Sequence, residues 1–114
     1  MTVWQKKIQG NIWLVHIEGR LDHQLTPSLE THLHDLLQED GVQLIVDLSK
    51  TNYINSGGMR ILVTAWRKAH QQNGDLLLCG LNGRLQEIFS MIGFDKLFDI
   101  YANPESAQQY LRKQ

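Results

Sequence analysis

The sequence predicts an α/β domain on a mixed β-sheet, a leading antiparallel hairpin followed by parallel βαβ units, packed with about four helices. Three observations carry that prediction. Strand-like apolar runs alternate with stretches of helical periodicity from Thr26 onward. The first two strand-like runs, Thr2 to Gln9 and Ile12 to Glu18, are separated only by Gly10-Asn11, a two-residue hairpin signal. The later runs, Val42 to Leu48 and Leu76 to Cys79, are apolar through their centres, as in strands of a parallel sheet covered on both faces.

The elements follow in order. In the second strand Trp13, Val15 and Ile17 point one way, and Ile12, Leu14 and His16 the other. Thr26 reads as an N-cap with Pro27 at the first helical position. Leu29, Leu33, Leu36 and Leu37 form the buried stripe of that helix, which ends before Gly41. After the strand Val42 to Leu48 and a polar loop, a second helix runs from about Ser56 to Gln72. Met59, Leu62, Val63 and Trp66 supply its stripe, and Asn73-Gly74 stops it like a C-terminal glycine cap. Asn82-Gly83 opens a shorter helix with Leu85, Ile88, Phe89 and Ile92 inward, closed by Gly93. Leu97 to Tyr101 reads as a short peripheral strand. Asn103 caps and Pro104 opens a last helix carrying Ala107, Tyr110 and Leu111 on one face.

At 114 residues the chain reads as a single domain, residues 1–114, large enough to bury one core without staples. A net charge of −1 gives no electrostatic case for nucleic acid or an anionic membrane. A lone cysteine, Cys79, cannot form an internal disulfide and suits a reducing compartment. Gln5, Lys6, Lys7 and Gln9 interrupt any apolar leader, and no apolar run approaches the length of a membrane span. A bacterial, cytoplasmic domain is therefore the expectation, with no direct membrane insertion.

The chemistry concentrates between Asp47 and Leu62. Asn55 or Ser56 can cap the second helix, because either side-chain oxygen can accept from an N–H of the first turn. Gly57 and Gly58 are poor helix formers, at about 1 kcal/mol each against alanine, so something must approach the backbone there. The bare reading of Ser56 is a cap; the sharper one is an anion or phosphoryl site at a helix N-terminus.

Asp47-Leu48-Ser49 followed by Tyr53-Ile54-Asn55-Ser56-Gly57-Gly58-Met59 resembles the signature of STAS domains, most closely the bacterial anti-sigma factor antagonists. Gly19-Arg20-Leu21-Asp22 and Met91-Ile92-Gly93-Phe94 match further segments of that family, so the resemblance spans nearly the whole chain. Asn55 stands where the pattern usually has aspartate, and Gly57 replaces the second small residue. The resemblance implies a STAS-like sheet and a binding module that is not an enzyme and uses no cofactor. Ser56 matches the serine that a partner kinase phosphorylates, that kinase being also the anti-sigma factor, and a PP2C-type serine phosphatase restores the hydroxyl. Transcription would then be regulated by partner switching. The implied docking residues are Asp22, His23, Asn55, Ser56, Gly57, Gly58, Met59 and Arg60. Asp22 and His23 read equally as a solvated turn. Arg60, off the apolar stripe, is either part of a solvated basic face or placed to meet an acidic partner or hold the phosphate.

Two other functions fit the same residues. STAS domains also serve as small subunits of lipid-transport ABC systems, binding an ATPase without phosphorylation, and Asn55 suits that role. A nucleotide- or small-ligand-binding module is the other, although no Gly-x-x-x-x-Gly-Lys-Ser/Thr or Gly-x-Gly-x-x-Gly is present. Nucleophilic catalysis fails on its parts, since no Gly-x-Ser-x-Gly surrounds Ser56. Metal binding fares no better: His32 and His34 sit two apart on a helix and do not share a face.

Overall fold

The computed structural model describes residues 2–113. A five-stranded sheet runs in the order β1-β2-β3-β4-β5: Thr2–Gln9, Ile12–Leu21, Gln43–Ile54, Asp75–Cys79 and Ile100–Tyr101. The hairpin β1–β2 is antiparallel and every later pair is parallel. Five helices accompany it: α1 Thr26–Leu36, α2 Ser56–Gln71, α3 Gly83–Met91, α4 Phe94–Leu97 and α5 Pro104–Arg112. No helix among the described residues is long and apolar enough to cross a membrane.

The alternation in β2 separates two apolar layers. Val15 and Ile17, with Trp13 against them, join the larger layer, made with α1, α2 and α3. Ile12, with Leu14, joins the smaller one, where Ala107 and Leu111 of α5 pack on Ile45, Leu77 and Cys79. The central strands therefore bury side chains on both faces, which is why their sequences show apolar runs and not alternation. His16 is buried on the smaller-layer face, its Nδ1 3.0 Å from Asp47 Oδ2 and its ring 4.7 Å from that of Trp4.

Several expectations are corrected. β3 does not end at Leu48 but continues to Ile54, because β2 also extends, to Leu21, and pairs with it. Thr51 is buried there and its hydroxyl donates to the Ile17 carbonyl at 2.9 Å, which makes a polar stretch a strand. Thr26 is not a cap: the chain is already turning at Asp22, whose carbonyl accepts from the amides of Leu25 and Thr26, and Leu25 precedes the helix with no side-chain cap bond. Ile92 is 49% exposed and not inward; α3 ends at Met91, and Phe98 joins the core beside Phe89. The segment expected as a strand from Leu97 starts as the end of α4, and only Ile100–Tyr101 pairs. At the end of α2, the left-handed residue is Asn73 (φ 63°), not Gly74.

Cys79 is fully buried, with Sγ 3.9 Å from Asp47 Oδ1. Burial foremost, and the Asp47 carboxylate next, push its thiol from an ordinary 9.0 up to about 12. The thiolate is the reactive form, so this thiol is expected to resist N-ethylmaleimide until the chain is denatured. Rapid labelling of the native protein would contradict that. Because the folded value is the higher one, the stability linked to this proton is complete below the unfolded value and is lost as pH rises toward the folded one. Cys79→Ala should therefore flatten the decline in stability above pH 9.0, measured by urea unfolding.

Candidate functional site

The parallel register brings the ends of β2 and β3 together, pairing Arg20 with Tyr53 and Leu21 with Ile54. The Asn55 amide then donates to the Leu21 carbonyl at 3.0 Å, tying the loop after β2 to the start of α2. Asp22 and His23 consequently lie at the same end as Ser56. Asp22 holds the loop's shape: its Oδ1 accepts from the Gln24 amide at 3.0 Å and its carbonyl accepts from two further amides.

Asn55, extended at ψ 177°, is the N-cap of α2, and its Oδ1 accepts from the Gly58 amide at 2.8 Å. Ser56 is therefore the first helical residue and not the cap, and it is exposed. No acidic residue lies in the first turn, so no side chain of that turn offsets the positive end of the helix dipole. Arg60 follows one turn on, exposed, on the Ser56 face of the helix.

Gly57 and Gly58 do different things. A Cβ on Gly58 would come within 2.9 Å of Leu21 and 3.0 Å of Ile54, both buried, so this glycine lets α2 start hard against the sheet. The close approach inferred for it is thus internal, and Gly58 with Met59, 7% exposed, lies beneath the docking surface expected to include them. Gly57 meets nothing nearer than Asn55 Oδ1 at 3.4 Å. Gly57→Ala should stabilise the protein by about 0.5 kcal/mol through helix propensity, whereas Gly58→Ala should destabilise it by about 1–3 kcal/mol through overpacking. Urea unfolding of the two variants checks this; shifts of equal sign would refute it.

Two residues join the site that the sequence reading left out. The Arg20 guanidinium lies 4.0 Å from the centre of the Tyr53 ring, and its Nε is 3.7 Å from Asp22 Oδ2. Both were hidden because β2 was expected to stop at Glu18 and Tyr53 was assigned to a loop. Their register as cross-strand partners is the signal that would have found them. The exposed surface thus comprises Arg20, His23, Ser56 and Arg60, with Asp22, Tyr53, Asn55 and Gly57 half-buried among them. Since Asn55 already occupies the Gly58 amide, the two glycines do not form an open phosphate cradle. Among the described residues no group of three His, Cys, Asp or Glu could hold a metal ion.

An open sheet of this order, with an exposed serine starting the helix after its third strand, defines the class. The STAS domain family model matches residues 3–107, and the chain belongs to that family. Anti-sigma factor antagonists are among its relatives: the anti-sigma-B factor antagonist of Bacillus subtilis is 32% identical over 95 residues, 83% of this chain and 86% of that protein. The crystal structure of an anti-sigma factor antagonist from Mycobacterium paratuberculosis superposes with a TM-score of 0.86 at 22% identity, covering 97% of this chain and 93% of the other. Unphosphorylated SpoIIAA gives 0.84 at 16% identity over 99% and 98% of the two chains. The phosphorylated form of this Bacillus cell fate determinant gives 0.77 at 15% identity over 96% and 99%.

Proposed function

We propose that the chain is an anti-sigma factor antagonist that docks an anti-sigma factor with serine-kinase activity and is released by phosphorylation of Ser56. The observation that carries this reading is the division of labour at the start of α2. Asn55 takes the capping bond, so the Ser56 hydroxyl stands exposed on a surface that Arg20, His23 and Arg60 share. Arg60, one turn on, can pair with a phosphate. The kinase transfers the γ-phosphoryl group of ATP to Ser56 Oγ, releasing ADP. A PP2C-type phosphatase hydrolyses the ester and returns the hydroxyl. The added charge, about −1.5 to −2, sits favourably at a helix N-terminus, so modification leaves the fold intact and acts on the docked partner. The relative SpoIIAA, known in unphosphorylated and phosphorylated forms, supports the reading.

The test is mass spectrometry after incubation with the anti-sigma kinase and ATP. A single modified peptide containing Ser56 is expected, absent from Ser56→Ala. An unmodified Ser56 would overturn the switch, and tight binding to a transporter ATPase in that case would identify a lipid-transport subunit instead.

A further inference from the structure

Helices α1 and α2 both cross over between parallel strands, so they run in the same direction and start at the Ser56 end of the sheet. Between them lies a groove of about 500 Å³. Its floor is closed, since Leu33, Leu37 and Ala65 are 2%, 3% and 5% exposed. Half-buried Ile61 forms an apolar wall. The rim carries Arg60 and Lys68 from α2 against Glu30 and His34 from α1. None of Arg60, Lys68 and Glu30 makes an ion pair among the described residues, so two uncompensated cations face one carboxylate. The α2 wall, from Arg60 to Lys68, repeats one face over about 12 Å, roughly two helical turns.

We propose that this groove docks an acidic amphipathic helix of a partner protein. Its apolar stripe lies on Ile61 and the floor, and its flanking Asp or Glu residues pair with Arg60 and Lys68. Three features select that occupant. The groove has the length of a helical segment and needs only anchors at i, i+3 or i+4 and i+7. It is open along its length with a sealed floor, whereas a small-molecule pocket encloses most of its ligand. Its rim is net positive, which favours an acidic partner and disfavours a basic one. The groove begins one turn past Ser56, so one partner can span both, yet docking here requires no phosphorylation.

The test follows amide resonances of the full chain during titration with two synthetic helical peptides of about 14 residues. They share a leucine stripe and differ in carrying Glu or Lys along its flanks; laurate is titrated separately. The Glu-flanked peptide is expected to shift residues 30–37 and 60–68, and Ile61→Glu to weaken it by about tenfold or more. The double variant Arg60→Glu, Lys68→Glu should transfer preference to the Lys-flanked peptide, while Arg112→Glu on α5 should change nothing. Ser56→Ala, which cannot be phosphorylated and adds no charge beside Arg60, should leave the peptide-induced shifts in place, so failure of the phosphorylation reading and failure of the groove are separately visible. No saturable binding, shifts elsewhere, equal response to both peptides, or a response to laurate alone would each overturn the proposal.

Discussion

Ser56→Glu is expected to weaken binding to the anti-sigma factor by about 100-fold, or about 2.7 kcal/mol, while Ser56→Ala stays within about threefold of the native protein. The asymmetry follows from where Ser56 sits. Its hydroxyl supplies no capping bond, because Asn55 Oδ1 holds the Gly58 amide, so removing the oxygen leaves α2 unchanged. A carboxylate at the first helical position is welcome within the free protein, contributing about 0.3–1 kcal/mol with the helix dipole. Docking reverses the sign, because the charge must be stripped of water against a partner surface shaped for a hydroxyl. Stability and affinity should therefore move in opposite directions for Ser56→Glu: a melting temperature equal to or above that of the native protein, with most binding lost. Calorimetric titration beside thermal unfolding reads both. Equal affinities for the two variants would remove the charge gate, and a large drop in melting temperature would attribute the lost binding to damage.

How much of this was legible before any coordinates follows from which signals were local. The hairpin at Gly10-Asn11, the stripes of α1, α2 and α5 and the cap Asn103 depend on neighbours a few residues away, and they appear as expected. The extension of β3 is non-local. Lys50 and Asn52 are exposed and look like a loop, and only the matching extension of β2 makes them strand. That pairing also decides the site, since the Arg20–Tyr53 contact exists only in this register. The glycines show the same divide. Their low helix propensity signals that a backbone must come close to something, but not what. For Gly58 the answer is Leu21, which lies 37 positions earlier in the chain and is reached only after the sheet has formed. The family signature located Ser56 without this geometry, but only the geometry assigned the cap to Asn55 and separated the exposed residues from those beneath.

Gly74→Ala is expected to be among the most damaging small substitutions in the chain. In sequence, Asn73-Gly74 reads as a helix stop whose glycine takes the left-handed position, where alanine would be only modestly unfavourable. The structure gives that position to Asn73, at φ 63°. The Gly74 amide donates to the Ala69 carbonyl at 2.8 Å and the Asn73 amide to that of His70 at 3.3 Å, the paired bonds of a Schellman ending. Gly74 is needed for a different reason. A Cβ there would stand 2.1 Å from the Val42 carbonyl oxygen, a backbone atom that no rotamer change can move. Relief requires separating the start of β4 from β3, where the parallel ladder runs from Gln43 with Asp75 to Asp47 with Cys79. The expected loss is about 3 kcal/mol or more, a fall of roughly 10–20 °C in melting temperature. Asn73→Gly serves as the opposite control, since glycine relieves a left-handed residue and should hold or raise stability by up to about 1 kcal/mol. Thermal unfolding followed by circular dichroism checks both variants. A melting temperature for Gly74→Ala within about 3 °C of the native protein, under 1 kcal/mol on this scale, would mean that the two strands part easily there. The ladder that presents Ser56 at its far end would then be less rigid than its packing implies.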